Sequence, residues 1–307
     1  MIHGWFAWIP ARLTAVGYAT AGNFDEAFAA LRRAWLDADG VLVLRDQHLS
    51  PEHHIAFSRR FGALEKHVLA TYLLPGHPEI YRVSNKVKDG KPEGRSNAGT
   101  YWHSDLSYMR PAAMASLLYA VEIPATGGDT MFASMYAAYE ALLPGMRAML
   151  GGLRAVHSGA RAFGPKATYN NEGRDAKFKL SEIALEEVEH PVICTHAGSG
   201  RKYLYVNGGF TVRFADMTEA ESKPLLDYLT QHAAKPEFTC RFNWRPGAMT
   251  FWANLCTQHF AINDYDGQRR LMPADLLLVK HSHVTCHPPR RFDLRQWNLR
   301  SRRALGS

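Results

Sequence analysis

Apolar side chains recur at helical spacing in three stretches of the chain, and each stretch begins with a capping residue. The first follows Asn23, with Glu26 three residues later in a capping-box pattern. The second spans residues 50–62, where Ser-Pro starts the helix and Gly closes it. Thr218 and Glu221 form a second capping box ahead of a leucine-rich stretch. The pattern therefore predicts three amphipathic helices.

Short apolar runs bounded by turn residues predict strands elsewhere. Residues 41–44 are uniformly apolar, and residues 192–207 predict a hairpin that turns at Gly-Ser-Gly. Apolar and polar residues alternate over 238–244, the period of a half-buried strand. An Arg-Pro-Gly turn then leads into a strand over 248–254. Many short strands with turns between them favour a β-rich α+β protein with a jelly-roll core and flanking helices.

Composition limits the alternatives. A chain of 307 residues with 46% hydrophobic content can bury the core of one large domain. No apolar run reaches membrane-spanning length, and no signal-peptide pattern opens the sequence. No P-loop, nucleophile elbow or dinucleotide fingerprint is present. The cysteines are isolated, which predicts a reducing cytoplasm rather than a disulfide framework or zinc ribbon. They are Cys194, Cys240, Cys256 and Cys286.

The positive charge is concentrated at the end of the chain. From Pro273 onward, seven Lys or Arg stand against two Asp, so this segment carries +5 of the formal net charge of +7. Residues 1–272 are close to neutral. Such a basic end is typical of a solvated tail, and we expect neither nucleic acid nor membrane as a partner.

The chemistry centres on His103 and Asp105, which are two residues apart, and on the distant His259. On an extended strand, the first two side chains would project to the same face. Two histidines and one carboxylate on one face of a metal are the arrangement of non-heme Fe(II) oxygenases. An arginine at Arg269 or Arg270 could bind the far carboxylate of a chelating 2-oxo acid. Taken alone, a His-x-Asp pair is equally compatible with a hydrogen-bonded surface pair.

Longer segments carry a specific resemblance. The run WHSDLSYMRPAAMASLLYAVEIPATGGDTMFASMYAAYEAL, which begins at Trp102, resembles the taurine dioxygenase and 2,4-dichlorophenoxyacetate dioxygenase family. Further matches are RDQHLSPEHHIAFSRRFGALEKH at 45–67, YLYVNGGFTVR at 203–213 and TQHFAINDYDGQRR at 257–270. The resemblance covers roughly residues 24 to 272 in the family's order. It implies a double-stranded β-helix that uses Fe(II), 2-oxoglutarate and dioxygen.

The resemblance also implies roles for individual residues. His103, Asp105 and His259 fall on the iron ligands. Thr130 falls on the threonine that contacts 2-oxoglutarate, and Arg270, rather than Arg269, on the arginine that pairs with its distal carboxylate. The family places substrate-contacting residues at three further positions, with a fourth aromatic residue near the pocket. These are His67, Phe163 and Phe210, with Trp252 as the fourth; core packing explains the aromatic residues equally well.

Two segments depart from the family pattern. Relatives usually read Trp-Asp-Asn-Arg where this chain has Trp252-Ala253-Asn254-Leu255. Loss of ligand-orienting groups would reduce metal affinity or activity by about 10–100-fold, whereas loss of a structural ion pair would be nearly neutral. Relatives commonly carry a second arginine where this chain has Ala274, and Pro273 lacks a ladder donor. We therefore expect a catalytic domain over 1–272 and a family-divergent basic tail over 273–307, either replaced or characteristic of a subfamily.

Other histidines offer no comparable site. His281 and His283 could chelate, with His287 nearby, but no carboxylate or cysteine lies at a diagnostic spacing. His53 and His54 are adjacent on a predicted helix and face different directions. The sequence thus predicts a cytoplasmic dioxygenase that hydroxylates or oxidatively cleaves a small organic, anionic substrate and releases succinate and CO2. An impaired homologue that keeps the fold and the metal is the alternative, and a homo-oligomer stays open.

Overall fold

The computed structural model describes residues 7–8, 40–163 and 185–277. The helix expected after Asn23, the histidines of the basic tail and Cys286 lie outside these ranges. Among the described residues the strands, numbered in chain order, are β1 (Ala7–Trp8), β2 (Val41–Leu44), β3 (Leu64–Glu65), β4 (Leu73–Leu74), β5 (His77–Ser84), β6 (Val87–Lys88), β7 (Lys91–Pro92), β8 (Ala115–Tyr119), β9 (Thr130–Ser134), β10 (Arg154–His157), β11 (Val188–Pro191), β12 (Ile193–Thr195), β13 (Lys202–Leu204), β14 (Thr211–Phe214), β15 (Thr239–Phe242), β16 (Met249–Ala253), β17 (Thr257–Ala261) and β18 (Leu271–Leu277).

Helices flank these strands. They are α1 (Pro51–Arg59), α2 (Met135–Glu140), α3 (Pro144–Leu150), α4 (Ala160–Phe163) and α5 (Glu219–Ala233), with 3-10 turns at Ala70–Tyr72 and Pro236–Phe238. Ser50 caps α1 through its side chain, as predicted, and the helix ends before Gly62. Thr218 and Glu221 form the predicted capping box of α5. Within the described ranges, no helix combines the length and apolar character needed to cross a bilayer.

The largest sheet has the strand order β1-β2-β16-β8-β18-β5-β4, and β3 pairs with the end of β18. A three-stranded sheet has the order β15-β9-β17, and a second one the order β11-β10-β14. Two hairpins, β6–β7 and β12–β13, complete the described sheets. The second hairpin is the one predicted at 192–207, and β2 is the strand predicted at 41–44. The expectation of a β-rich protein with outer helices is thus confirmed.

The alternating segment 238–244 is only partly a strand. Phe238 ends a 3-10 turn, β15 stops at Phe242, and Trp244 lies beyond it. The alternation still predicts which side chains are buried. Phe238, Phe242 and Trp244 are buried, and Cys240 is half-buried. Hydrogen bonding to β9 covers only the central residues because the chain turns at Gly247, which has a positive φ of 77°.

Pro273 lies inside β18, between β8 and β5. The amide of Leu271 donates to the Glu122 carbonyl at 2.8 Å, so the nitrogen of Pro273, two residues later, faces the same neighbour. Leu271 lies opposite Glu122, but Ala274 lies opposite Leu118, so the β8 side has one extra residue there. The missing donor therefore faces an irregular stretch, where proline is tolerated. The missing backbone donor of Pro273 led us to expect that the family's closing strand would be absent here, but β18 continues through Pro273 to Leu277.

The boundary expected at 272/273 therefore falls within a strand. Residues 273–277 pair with β5, β8 and β3 as part of the largest sheet. Residues 278–307 lie outside the described ranges, and the origin of the basic tail stays a prediction.

The largest sheet and the β15-β9-β17 sheet pack face to face. One apolar cluster joins residues of β2, β8, β16 and β18 to residues of β9 and β15. A second cluster covers the opposite face of the largest sheet, with Phe57 of α1 packed against it. Burial on both faces explains why β2 and β16 consist almost entirely of apolar residues. The space left between the two sheets holds the candidate site.

Candidate active site

His103 and His259 are brought together by their own backbones. His259 lies in β17, and His103 pairs with it as an isolated antiparallel bridge: each amide donates to the other's carbonyl, at 3.1 and 2.9 Å. The two rings lie 4.1 Å apart, centroid to centroid. Gly99 allows this approach, because a Cβ there would lie 2.7 Å from His103 Cε1, and its φ is +75°. Residues 156 positions apart in sequence are thereby fixed as neighbours.

Asp105 does not continue this extended segment. The chain turns over residues 105–108, and Leu106 adopts a positive φ of 51°. The expectation that His103 and Asp105 share one face of a strand is therefore wrong in its backbone geometry. The side chains converge nonetheless, because the turn folds the carboxylate back toward the histidine pair.

The three donor groups form a compact set. Asp105 Oδ1 lies 3.5 Å from His103 Nε2 and 3.8 Å from His259 Nε2. One ligand atom from each residue lies within 4.8 Å of the other two. Two imidazoles and one carboxylate, without a thiolate, are the donor set of non-heme Fe(II) oxygenases, and they do not suit an iron–sulfur cluster or a cysteine-rich structural zinc site. The residues fit the metal that the sequence predicts.

Protonation of the set also suits a metal. His103 Nδ1 lies 2.7 Å from the Tyr101 carbonyl, which can only accept, so Nδ1 donates to it and Nε2 is the nitrogen that faces Asp105. Burial lowers the pKa of His259 to about 3, so this imidazole is neutral at physiological pH. Burial alone would raise the pKa of Asp105, but the two histidines and a hydrogen bond from Ser116 hold it well below its ordinary value. The site therefore offers an ionised carboxylate beside the Nε2 atoms of two imidazoles.

A chain of hydrogen bonds fixes the second oxygen of Asp105. The Trp252 indole, which can only donate, donates to Asn254 Oδ1 at 2.9 Å. Asn254 Nδ2 then donates to Ser116 Oγ at 2.8 Å, and Ser116 donates its own proton to Asp105 Oδ2 at 2.6 Å. Because the Trp252 indole can only donate, the direction of each hydrogen bond in this series is fixed. Ser116 thus binds Asp105 Oδ2, and Asp105 Oδ1 faces the two histidines.

This network bears on the departure at residues 252–255. Ala253 is buried and Leu255 half-buried, both against one apolar cluster, while Asn254 between them supplies the contacts to Asp105 and Ser116. An apolar setting for the two altered positions favours the nearly neutral alternative over a loss of metal affinity. Trp252 is fully buried and hydrogen-bonded within this network, which gives it a positioning role.

Thr130 opens β9 directly after a glycine turn. Gly127 has a φ of +80°, and a Cβ there would lie 2.4 Å from the Asp264 carbonyl, so the turn requires glycine. Trp244 Nε1 donates to Thr130 Oγ1 at 3.0 Å. Because the indole can only donate, the Thr130 hydroxyl accepts this bond and keeps its proton for another partner. That proton is available for a ligand in the pocket.

Arg270 is a buried cation without a dedicated carboxylate. It is 4% exposed, and one terminal nitrogen donates to the Gly128 carbonyl at 3.3 Å. Its Nε has no hydrogen-bond partner within the described ranges. The nearby Asp129 carboxylate accepts instead from Arg241 at 2.6 Å and from Asn243 at 3.0 Å. Burial lowers the pKa of Arg270 by more than Tyr265 and Asp129 raise it, so the buried charge is only partly compensated and the geometry fits an incoming anion.

Both sheets line one pocket that contains all the predicted site residues. Its cavity volume is about 100 Å³, and it opens to solvent at its mouth. His103, Asp105, His259, Thr130 and Arg270 line it, together with His67, Phe163, Phe210 and Trp252. Phe210 contacts the rings of His103 and Phe163, and so connects the metal end of the pocket to its aromatic end.

His67 lies at the far end of the pocket as a neutral group. Its ring stacks on Tyr81 at 4.0 Å, and its Nδ1 accepts from the Leu69 amide at 3.0 Å. Burial and the nearby Arg95 lower its pKa to about 3. Nε2 therefore carries the proton, and His67 acts as a hydrogen-bond donor rather than as a cation.

Several lining residues were missed from the sequence. Arg95 lies in a loop between polar residues, Tyr108 follows the His-x-Asp segment, and Ser116 is inside an all-buried strand. None of them carries a spacing that distinguishes it from loop or core residues. Only the fold places Arg95, Tyr81 and Tyr108 around the same space.

Comparison with known proteins agrees with this geometry. Residues 7–274 match the family model described as taurine catabolism dioxygenase TauD, TfdA family. The alpha-ketoglutarate-dependent 2,4-dichlorophenoxyacetate dioxygenase of Cupriavidus pinatubonensis is 37% identical over 241 residues, covering 73% of this chain and 79% of the relative. Pentalenolactone F synthase of Streptomyces arenae is 36% identical over 269 residues, covering 83% and 88%.

One similar solved structure contains a metal ion and a ligand. The crystal structure of AAD-2 in complex with Mn(II) and N-oxalylglycine superposes with a TM-score of 0.66 at 29% identity, covering 82% of this chain and 87% of that one. Relatives of this kind are 2-oxoglutarate-dependent enzymes of the family, which uses Fe(II), so the predicted enzyme class and cofactors are confirmed. The chain belongs to the TauD/TfdA family of 2-oxoglutarate-dependent dioxygenases.

Proposed function

We propose that the chain is an active dioxygenase in which His103, Asp105 and His259 hold Fe(II). The proposal rests on one observation above all: three donors of the right type converge within 4.8 Å of one another in an open pocket. Three protein ligands leave coordination positions for a cosubstrate and dioxygen. Such a site would hydroxylate, or cleave by hydroxylation, a small organic substrate and release succinate and CO2.

Thr130 and Arg270 are proposed to bind 2-oxoglutarate. Thr130 has a hydroxyl proton left after accepting from Trp244, and Arg270 has a buried Nε without a partner among the described residues. Both line the same pocket as the three donors. When bound, iron and 2-oxoglutarate supply the activation of dioxygen, while the protein binds, orients and excludes water.

The substrate is proposed to enter between His67, Phe163 and Phe210. Phe163 and Phe210 form an aromatic wall, and His67 presents a neutral donor. The relative from Cupriavidus pinatubonensis is named for an aryloxyacetate, which favours an anionic substrate for this chain also. We further infer that the two facing sheets form the double-stranded β-helix of the family. A cytoplasmic location and a homo-oligomer stay predictions.

An impaired homologue that keeps the fold and the metal is the competing proposal. Ala274, which lines the pocket where relatives commonly carry an arginine, is the observation that favours it. Under air, we expect the purified chain with Fe(II) and 2-oxoglutarate to release succinate, and the rate to increase with a matching member of a panel of aryloxyalkanoates, alkyl sulfates and sulfonates. Folded, iron-loaded protein that releases no succinate with any member would support the impaired homologue instead.

A further inference from the structure

Two carboxylates lie close to the arginine that is proposed to bind 2-oxoglutarate. Asp129 is 5% exposed and directly precedes Thr130 at the start of β9. Asp264 lies in the loop after β17, and its Oδ1 accepts from the Gly128 amide at 2.7 Å. The carbonyl of the same Gly128 accepts from Arg270 at 3.3 Å. Negative charge beside a cation that is to bind an anion needs compensation.

The compensation for Asp129 comes from β15 and the residues after it. Arg241 Nε donates to Asp129 Oδ2 at 2.6 Å, and Asn243 Nδ2 donates to Asp129 Oδ1 at 3.0 Å. Arg241 also reaches Asp264, with its terminal nitrogen 3.5 Å from Oδ2. Both oxygens of the Asp129 carboxylate are therefore bound from the side away from Arg270, and one guanidinium serves both acids.

Asp129 still acts on Arg270 through space. Burial lowers the pKa of Arg270, while Tyr265 and Asp129 act in the opposite direction. A Cβ on Gly128, one residue before Asp129, would lie 3.4 Å from Arg270 Nε, so the turn packs directly against the guanidinium. Asp129 is thus close enough to influence the charge of Arg270, while its hydrogen bonds go to Arg241 and Asn243.

We propose that Arg241 is a positioning residue for 2-oxoglutarate: by binding Asp129, it keeps Arg270 available for the distal carboxylate of the cosubstrate. The inference rests on the proposed function, since that function assigns Arg270 to this carboxylate. Removing one partner of a buried charge leaves the other uncompensated. Without Arg241, the negative charge of Asp129 would act on Arg270 and oppose the incoming carboxylate.

Arg241 acts through Asp129 rather than by touching the ligand. Its side chain is 54% exposed, and it is not among the described residues that line the pocket. Because the guanidinium is open to solvent, its attraction for Asp129 is partly screened, and the effect on the cosubstrate should be moderate. A charge role of this kind can be separated from a role in shaping the turn, because only the charge role disappears when Asp129 is neutralised.

The test is a double-mutant cycle on the affinity for 2-oxoglutarate. Each protein is loaded with Fe(II) under argon and titrated with 2-oxoglutarate, and the visible band of the chelate is followed. Arg241→Gln should weaken binding by about 10-fold, because the charge of Asp129 is no longer compensated. Asp129→Asn should bind at least as tightly as native protein. Arg241→Gln/Asp129→Asn should recover an affinity within about threefold of native.

Two controls separate this effect from general support of the fold. Mn(II) binding without cosubstrate, measured by electron paramagnetic resonance, should be native in Arg241→Gln, because the three metal donors lie outside the turn. Arg154→Gln breaks an exposed pair of the same kind, with Glu189 at 2.9 Å, and should bind 2-oxoglutarate with native affinity. Arg241→Lys keeps a positive charge and should bind more tightly than Arg241→Gln.

Two results would overturn the inference in a native protein that forms the chelate. One is native affinity for 2-oxoglutarate in Arg241→Gln. The other is a loss that persists in the double variant while Mn(II) binding is intact, which would assign Arg241 to the shape of the turn. An equal loss in Arg154→Gln would likewise assign the effect to overall charge. Absence of the chelate band from native protein would instead refute the proposed function.

Discussion

The two ends of the pocket are built in different ways. At the metal end, a chain of fixed donors runs from Trp252 through Asn254 and Ser116 to Asp105, and the backbones of His103 and His259 pair directly. At the substrate end, aromatic rings surround polar groups whose hydrogen bonds are incomplete, the Tyr108 hydroxyl above all, whereas the metal end keeps one such atom, His259 Nδ1, among the described residues. A rigid metal end can serve one reaction, while an end with unmet hydrogen bonds can be adapted to a particular substrate.

The largest effect is expected from removing Asp105, the carboxylate among the three described metal donors. Asp105→Ala should weaken Mn(II) binding by more than about 100-fold, beyond the effect of supporting residues. Titration of Mn(II) by electron paramagnetic resonance measures this. Glu140→Ala, which removes an exposed carboxylate paired with Arg201, is the control and should bind Mn(II) normally. Equal affinity in Asp105→Ala and native protein would show that the metal binds elsewhere.

The cosubstrate end offers a matched pair of arginines. Arg270→Gln should weaken 2-oxoglutarate binding by about 10–100-fold, because a buried charge-assisted pair is lost. Arg269 is exposed, so Arg269→Gln should leave the affinity unchanged. Titration of the chelate band under argon gives both dissociation constants. A larger loss in Arg269→Gln than in Arg270→Gln would reverse the assignment.

Loss of the hydrogen bond that orients Asp105 should have a smaller effect than loss of Asp105 itself. Ser116→Ala removes the donor to Oδ2 and should weaken Mn(II) binding by about 10-fold. Thr250→Val removes another buried hydroxyl, one that has no partner among the described residues, and should leave Mn(II) binding unchanged. If both variants lose affinity equally, the effect comes from core packing rather than from orientation of the carboxylate.

Tyr108→Phe tests the unmet hydrogen bond at the substrate end. Removal of an unpaired buried hydroxyl should raise the free energy of unfolding of ligand-free protein by about 1 kcal/mol. Tyr119 donates to the Gln47 carbonyl at 2.9 Å, so Tyr119→Phe should lower it by about the same amount. Urea unfolding distinguishes the two signs. A destabilised Tyr108→Phe would reveal a partner for this hydroxyl and weaken the contrast between the two ends.

The smallest effect concerns pH. Because burial holds the pKa of His67 at about 3, this ring is neutral from about pH 5 to pH 8, and any preference for phenoxyacetate over its neutral amide should be flat over that range. A histidine near its ordinary pKa of about 6.5 would instead gain charge, and the preference would increase, as the pH falls. A preference that rises on acidification in calorimetric titrations would show that His67 carries a positive charge in the pocket.

The sequence predicted the metal end better than the substrate end, for a physical reason. His103 and Asp105 are neighbours in the chain, and the distant His259 and Arg270 lie in a recognisable segment. Arg95 reaches Tyr81 through its bridge to Val83 of β5, and Tyr108 comes from the turn after Asp105, so only the fold gathers the three around one pocket. No periodicity marks such residues before the fold is known.

The backbone was less predictable than the elements. Caps such as Ser50 and Thr218 depend on local hydrogen bonds and were predicted correctly. The turn at Asp105 and the place of Pro273 within β18 depend on pairing with remote residues, His259 in one case and Leu118 and Glu122 in the other. Local sequence does not contain that information.

A crystal structure of the chain with Mn(II) and N-oxalylglycine tests the central assignment most directly. We expect anomalous density between His103 Nε2, His259 Nε2 and Asp105 Oδ1, with Asp105 Oδ2 still bonded to Ser116 and the far carboxylate of the ligand on Arg270. Manganese bound by other residues, or by Asp105 with its Ser116 contact broken, would contradict this account of the metal end.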